Sequence, residues 1–79
     1  MPKIRIFSTP SCPYCVTLKE FLKANNVEFE ELDVSVDMEA QKEMVEATGQ
    51  MGVPVSKIGE EWIIGFDKQK ISQILNINQ

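Results

Sequence analysis

The chain has 79 residues, of which 43% are hydrophobic and 25% charged, and this length predicts a single domain, residues 1–79, with one core. Its net charge of −4 argues against nucleic acid and anionic membranes as partners, and no apolar run approaches the roughly 18 residues that span a bilayer. The lack of histidine excludes Cys–His and Ser–His–Asp catalysis and any metal site that contains histidine.

The first predicted strand and the first predicted helix flank a pair of cysteines. Residues Lys3 to Ser8 alternate between polar and apolar, which is typical of a short strand. Residues Pro13 to Lys23 carry a helical pattern, and Asn25-Asn26 is a good place for that helix to end. Cys12 and Cys15 therefore lie at the start of the helix. A C-x-x-C motif in this position indicates a thiol–disulfide site.

The spacing of the two cysteines suggests how they divide the work. Residues three apart in the first helical turn lie on one face, so the two sulfurs can reach bonding distance. Pro13 suits the first helical position. Cys12 then takes the N-cap position, with the N–H groups of Tyr14 and Cys15 pointing towards its sulfur. We expect Cys12 to attack the substrate and the better covered Cys15 to resolve the product.

A metal site is the main chemical alternative for this cysteine pair. A tetrahedral zinc or iron site needs four ligands, and the chain offers two cysteines and no histidine. Only a dimer, or thiolates supplied by a small molecule, could complete such a site. We therefore predict a monomer without a metal, and keep a dimeric iron–sulfur or metal carrier as the alternative. Met1-Pro2-Lys3 leads directly into strand-like sequence, so we expect no secretory signal and a cytoplasmic location.

A second strand and a second helix follow. The strand is predicted from Val27 to Val34, and its alternation shifts by one residue, either at a bulge or at the strand end. Ser35 or Asp37 can cap the next helix, which Gly49 is placed to end. The residues expected to face the core from this helix are Met38, Gln41, Val45 and Thr48.

The last third of the chain predicts a hairpin and a final helix. A strand from Val55 to Ile58 turns at Gly59-Glu60 into a strand over 62–64. Asp67 can cap a last helix, whose predicted buried residues are Ile71, Ile74 and Leu75. The order is β-α-β-α-β-β-α. Its first two strands should be parallel and its last two antiparallel, which predicts an α/β fold, a four-stranded mixed sheet with helices on both faces.

Three stretches of the sequence resemble those of a known family. They are Cys12-Pro13-Tyr14-Cys15, the segment from Met51 to Val55 (MGVPV) and the segment from Ile64 to Asp67 (IGFD). Together with the element order, they resemble the glutaredoxins of the thioredoxin superfamily, and especially the short bacterial glutaredoxin-like proteins. The resemblance covers essentially the whole chain. It implies a thioredoxin-like fold and an enzyme that reduces protein disulfides and glutathione mixed disulfides, with glutathione as co-substrate and no permanently bound cofactor.

The resemblance also implies where substrates bind. It places a cis peptide bond before Pro54, beside the cysteines, and glutathione across Tyr14, Val53 and the start of the last helix. Helix N-termini bind carboxylates well, and glutathione has two. The resemblance assigns catalysis to Cys12 and Cys15. The residues that it assigns to binding of substrate or glutathione are Thr9, Pro13, Tyr14, Gly52, Val53, Pro54, Gly65, Phe66, Asp67 and Lys68.

Two positions depart from the pattern of many glutaredoxins. Thr9 stands where many members have a lysine for the glycyl carboxylate of glutathione, and Lys68 stands where many have a second aspartate for the γ-glutamyl amine. Gly65-Phe66 also resembles the redoxins that supply electrons to ribonucleotide reductase and are recharged by thioredoxin reductase. The sequence therefore leaves two electron donors open, glutathione and thioredoxin reductase.

Overall fold

Four short strands form one mixed sheet in the computed structural model, which describes residues 3–77. The strands are β1 (Ile4–Ser8), β2 (Glu30–Asp33), β3 (Val55–Ile58) and β4 (Glu61–Ile64), in the spatial order β2-β1-β3-β4. β1 and β2 are parallel, whereas β3 is antiparallel to both β1 and β4. This arrangement confirms the predicted strand directions. The predicted single domain also includes residues 1, 2, 78 and 79, which lie outside the described residues.

Among residues 3–77, three helices cover the two faces of the sheet, as predicted. They are α1 (Pro13–Ala24), α2 (Met38–Thr48) and α3 (Lys68–Leu75). α1 and α3 share one face, where the buried residues are Ile4, Ile6, Leu18, Leu22, Val27, Ile58, Ile63 and Ile71. α2 packs on the other face, where the buried residues are Phe7, Val34, Ala40, Met44 and Val55. Between residues 3 and 77, no helix combines the length and apolar character that crossing a membrane requires.

Local signals fixed the ends of the helices. Asp37, rather than Ser35, caps α2, because its carboxylate accepts a hydrogen bond from the Ala40 N–H at 3.0 Å. Gly49 ends α2 in the left-handed conformation with φ of 76°, which favours glycine. Asp67 caps α3 in the same manner as Asp37 caps α2, through the Lys70 N–H at 3.0 Å. The predicted caps at Asp37, Gly49 and Asp67 are therefore confirmed.

The predicted inward face of α2 was wrong in part. Ala40 and Met44 are its buried residues, whereas Met38 is 58% exposed and Gln41, Val45 and Thr48 are only partly buried. Glu43 explains why α2 presents a different face to the sheet than predicted. Its carboxylate reaches Arg5 at 3.0 Å and Lys57 at 3.7 Å on the sheet. The helix therefore turns its small residue and its acidic residue towards the sheet. Helix propensity and apolar spacing alone do not contain that information.

The second strand is shorter than predicted. It begins at Glu30, and the segment 27–29 that precedes it is not part of the sheet. Val27 and Phe29 pack into the core under α1 and α3, whereas Leu32 and Val34 pack into the core under α2. The shift in the apolar alternation therefore marks the point where the chain passes from one face of the sheet to the other. It is the start of a strand and not a bulge within one.

Candidate active site

Cys12 lies at the N-terminus of α1, directly after the loop that leaves β1. It is the N-cap, with an extended backbone (φ −93°, ψ 112°), and Pro13 follows in the first helical turn. The Cys15 N–H donates a hydrogen bond to the Cys12 sulfur at 3.1 Å. This confirms the predicted N-cap, although the second expected hydrogen bond, from the Tyr14 N–H, is not formed. The sulfur of Cys12 therefore faces the positive end of the helix dipole.

The two cysteines differ sharply in burial. Cys12 is partly exposed, whereas Cys15 is completely buried, and both are free thiols. Burial raises the pKa of Cys15 to about 12, and its hydrogen bond with Cys12 adds to the shift. The backbone N–H of Thr9 and the charge of Lys19 act in the opposite direction. Cys12 is thus the sulfur that an outside disulfide can reach, and Cys15 is held as a thiol behind it.

The loop before β3 lies against Cys12. The Cys12 thiol donates to the carbonyl oxygen of Val53, with 3.8 Å between sulfur and oxygen. The peptide bond between Val53 and Pro54 is cis, as the family resemblance implied. The carbonyl of Pro54 then accepts a hydrogen bond from the Gly65 N–H at 2.8 Å. Gly65 has φ of +77°, a conformation that side chains rarely adopt. A chain of contacts therefore runs from Cys12 through this loop to Gly65.

The start of α3 is attached to α1 through one aromatic ring. Phe66 meets Phe21 of α1 in an edge-to-face arrangement with 5.8 Å between ring centres. The ammonium of Lys68 lies 5.5 Å from the centre of the same Phe21 ring. Asp67 uses its carboxylate to cap α3. Within residues 3–77, neither Asp67 nor Lys68 makes a hydrogen bond or ion pair with Cys12 or Cys15.

The remaining predicted binding residues differ in their exposure and in their contacts with Cys12. Tyr14 is 68% exposed and Pro13 and Gly52 are also exposed, so all three are accessible to a ligand. Thr9 is half-buried, and its carbonyl accepts a hydrogen bond from the Cys12 N–H at 3.3 Å. Thr9 therefore serves the cysteine loop through its backbone.

A polar cluster beside Cys15 was missed by the sequence analysis. Ser8, at the end of β1, donates its hydroxyl to the Glu31 carboxylate at 3.1 Å, and the Lys19 ammonium binds the same carboxylate oxygen. The spacing of Lys19, four residues after Cys15, was the available signal, since such residues share a helix face. Across residues 3–77, no three Cys, Asp or Glu side chains are grouped so as to hold a metal ion.

The family model named Glutaredoxin matches residues 4–63 of the chain. The chain belongs to the glutaredoxin family. A glutaredoxin-like 8.6 kDa protein from the rubredoxin operon of Clostridium pasteurianum is 42% identical over 72 residues, which are 91% of this chain and 96% of that protein. A glutaredoxin of Pseudomonas aeruginosa is 34% identical over 67 residues, which are 85% of this chain and 80% of that protein.

Solved structures confirm the thioredoxin-like fold of this glutaredoxin. The crystal structure of a mutant of the thioredoxin-like protein BC3987 superimposes with a TM-score of 0.91 at 41% identity, over 99% of this chain and 100% of that one. Glutaredoxins are thiol–disulfide oxidoreductases, and family and fold together assign this class of activity to the chain.

Proposed function

We propose that this glutaredoxin reduces protein disulfides and glutathione mixed disulfides in the cytoplasm, as a monomer that uses Cys12 and Cys15 and takes electrons from glutathione. The observation that carries the proposal is the contrast between the two thiols. Cys12 is partly exposed and accepts a helix N–H at 3.1 Å, whereas Cys15 is buried behind it. An accessible nucleophile with a covered partner is the arrangement that thiol–disulfide exchange requires.

In the first step, the Cys12 thiolate attacks one sulfur of the substrate disulfide. A bond forms between that sulfur and Cys12, the substrate S–S bond breaks, and the second substrate sulfur leaves as a thiolate that takes a proton from water. The Cys15 N–H and the positive end of the helix dipole point at the Cys12 sulfur and stabilise the negative charge that it carries as it attacks. The same interactions make Cys12 a good leaving group in the step that follows.

The second step regenerates Cys12 by one of two routes. A glutathione thiolate can attack the mixed disulfide, which releases Cys12 and oxidises glutathione. Alternatively, Cys15 attacks Cys12, which releases the reduced substrate and leaves a Cys12–Cys15 disulfide that takes two electrons from the donor. Glutaredoxins generally have potentials of about −200 to −230 mV, within reach of the glutathione pool.

The residues around Cys12 support glutathione as the small ligand. The N–H of Val53 makes no hydrogen bond to any residue in 3–77, so it is free to pair with an extended peptide in the manner of an added strand. Exposed Tyr14 lies in the first turn of α1, two residues after Cys12. The hydrogen bond from the Gly65 N–H to the Pro54 carbonyl connects the N-terminus of α3, at Phe66 and Asp67, to the loop beside Cys12.

Two residues favour thioredoxin reductase as a second candidate donor. Thr9 has no charge to pair with the glycyl carboxylate of glutathione. Lys68 lies over the Phe21 ring at the start of α3, where a positive charge would repel the γ-glutamyl amine.

The roles of the cysteines are tested with Cys12→Ser and Cys15→Ser on a glutathionylated peptide. We expect Cys12→Ser to abolish turnover. Cys15→Ser should retain it, because a second glutathione can release Cys12, but should lose the reduction of an intramolecular protein disulfide. Complete loss of deglutathionylation in Cys15→Ser would refute the route that uses Cys12 alone.

The donor is tested by comparing two recycling systems with the same disulfide substrate. One contains glutathione, glutathione reductase and NADPH, and the other contains thioredoxin reductase and NADPH. We expect faster turnover with glutathione. Turnover only with thioredoxin reductase would replace the proposed donor and leave the roles of Cys12 and Cys15 unchanged.

A further inference from the structure

A three-residue cluster connects the end of β1, the edge strand β2 and the second turn of α1. Ser8 is buried and donates its hydroxyl to Glu31 at 3.1 Å. Lys19 binds the same carboxylate oxygen of Glu31, and its side chain is only 20% exposed. Lysine side chains are rarely covered to this extent unless they are paired. The cluster thus fixes the position of a positive charge that would otherwise move freely on the surface.

The cluster lies next to Cys15. Lys19 is one helical turn after Cys15, so the two side chains share a face of α1. Ser8 precedes Thr9, whose backbone N–H favours the thiolate form of Cys15. Two groups therefore act on Cys15. Lys19 acts from the same helix, and the backbone N–H of Thr9, the residue after Ser8, acts from the end of β1. The Lys19 charge also favours the thiolate of Cys15.

We propose that Lys19, held in place by Glu31 and Ser8, is a positioning residue that stabilises the thiolate of Cys15 when Cys15 resolves the mixed disulfide. The inference rests on the proposed route through a Cys12–Cys15 disulfide and adds a residue to it. Complete burial disfavours the Cys15 thiolate. A fixed positive charge on the same helix face lowers that barrier without opening the site, in addition to the contribution of the Thr9 backbone N–H.

The step that Lys19 assists is balanced within the site. Cys15 gives its proton to water and attacks the Cys12 sulfur of the mixed disulfide. The Cys12–Cys15 bond forms, the bond from Cys12 to the substrate sulfur breaks, and the substrate thiolate takes up a proton. The two cysteines lose two electrons, and the substrate disulfide has gained the same two.

Glu31 orients Lys19 and does not take the proton from Cys15. The hydrogen bond from Lys19 holds the pKa of Glu31 below its usual value, and the Ser8 hydroxyl acts in the same direction. A carboxylate that resists protonation is a poor base. The titratable groups that act on Cys15 are Cys12 at the N-cap and Lys19 on α1. Glu31 on β2 acts on Cys15 only through Lys19. Lys23, further along α1, acts on Glu31.

The test separates the two chemical steps with an aromatic disulfide that releases a coloured thiolate. The attack by Cys12 releases one equivalent, and the attack by Cys15 on the resulting mixed disulfide releases a second. The second phase is unimolecular. Its rate therefore does not depend on how fast the protein and the reagent meet, and so not on long-range attraction or repulsion between them. Its rate is recorded across pH for the wild type, Lys19→Met, Lys19→Arg and the matched control Lys23→Met.

We expect Lys19→Met to move the rising part of the second-phase rate profile towards higher pH by about one pH unit, as loss of a nearby opposite charge does. At pH 7 the second phase should slow by about threefold, since a tenfold loss of thiolate is offset in part by higher nucleophilicity. Lys19→Arg should restore the profile. Lys23→Met should match the wild type, and with an uncharged aromatic disulfide the first phase should be unchanged in every variant.

Three results would overturn the proposal. An unchanged second-phase profile in Lys19→Met would remove the electrostatic role. A Lys19→Arg variant as slow as Lys19→Met would show that shape, and not charge, matters at this position. A wild type without any second phase would refute the resolving role of Cys15 itself, which is a failure of the proposed dithiol route and is distinguishable from the first two results.

Discussion

The environment of each sulfur explains why two chemically identical side chains behave differently. Cys12 is at the surface and receives a helix N–H, whereas Cys15 has no exposed area and its pKa is raised to about 12 by burial. A buried thiol next to a surface thiol is protected from outside oxidants and alkylating agents. It should therefore react mainly with the sulfur that is already beside it, which fits the resolving step proposed for Cys15.

Among residues 3–77, Ser56 is a buried side chain without a hydrogen-bond partner. It is completely buried in the middle of β3, between Ile6 and Ile63 on the neighbouring strands, and its hydroxyl has no partner among residues 3–77. An unpaired buried hydroxyl costs about 1–3 kcal/mol. Ser56→Ala should therefore raise the free energy of unfolding by about 1 kcal/mol, which urea denaturation would show as a higher midpoint at an unchanged m-value.

A matched control for Ser56→Ala is Ser8→Ala. Ser8 is equally buried, but its hydroxyl is hydrogen-bonded to Glu31. Loss of that bond should lower the urea midpoint. A lower midpoint in Ser56→Ala as well would show that the hydroxyl of Ser56 contributes to stability and would contradict the prediction.

Glu31 should make stability depend on pH in the acid range. Its pKa is lowered from 4.5 in the folded chain, mainly by the hydrogen bond from Lys19. A depressed carboxyl pKa stabilises the fold above the unfolded value, and that contribution is lost as the pH falls through the folded value. The wild type should therefore be more stable than Glu31→Gln above about pH 5, and the difference should shrink below 4.5.

Urea unfolding at a series of acid and neutral pH values measures this difference. Glu46→Gln is the control, because its partner Lys42 is 4.0 Å away and both side chains are exposed. Such surface pairs contribute little to stability. A gap between wild type and Glu31→Gln that stays constant down to the acid unfolding range would contradict the assignment of the pH dependence to Glu31.

The site depends on the N-termini of its helices. At the start of α3, the capping role of Asp67 can be tested separately from the role of its charge. Asp67 caps α3 through the Lys70 N–H. Asp67→Ala should lower the free energy of unfolding by about 1 kcal/mol, whereas Asp67→Asn should change it little, because asparagine caps equally well. If the carboxylate of Asp67 also meets the amine of glutathione, Asp67→Asn should raise the KM for glutathione at nearly unchanged stability.

Thermal unfolding and initial rates at varied glutathione concentration measure the two effects. An unchanged KM in Asp67→Asn would restrict Asp67 to its role as a cap. Equal destabilisation by both substitutions would contradict the capping argument.

Local signals predicted the parts of the fold that depend on neighbouring residues. The N-caps at Cys12, Asp37 and Asp67 were correct because a cap is decided within four residues. The inward face of α2 was partly wrong because Glu43 reaches Arg5, a residue 38 positions away in the sequence. Such pairings are set by the tertiary fold and leave no periodic trace.

The same distinction applies to the site. The positions of Cys12 and Cys15 follow from their spacing and from Pro13, which are local. The cluster around Lys19 depends on the hydrogen bond from Ser8 to Glu31 across 23 positions and on the parallel pairing of β1 with β2. The sequence contains all three residues, but only the sheet register shows that they meet.

At the scale of the whole molecule, the site draws on both halves of the chain. The first half supplies Cys12 and Cys15 through α1, and the second half supplies the loop at Val53 and the turn at Gly65. β1 lies between β2 and β3 and so connects the two halves. The sheet therefore fixes the distance between the Cys12 sulfur, which we propose attacks the substrate, and the backbone proposed to hold that substrate.

The overall charge of the molecule should influence which substrates react fastest. The net charge is −4, and Glu28, Glu30 and Glu39 are exposed. A net charge affects the encounter with charged partners at long range, and salt screens it over about 10 Å at 0.1 M. Charge on the substrate should thus change the rate of encounter without changing the chemistry at Cys12.

This effect can be measured with two glutathionylated peptides of equal length, one carrying about three positive charges and the other about three negative charges. At low salt, kcat/KM should be about tenfold higher for the cationic peptide, because attraction raises its encounter rate. At about 1 M salt the two values should converge, since the screening length falls to about 3 Å. A neutral peptide, whose rate should change little with salt, is the control. Equal rates for the charged peptides at low salt would mean that the acidic side chains lie away from the path of approach to Cys12, and that substrate choice depends on contacts beside the sulfur alone.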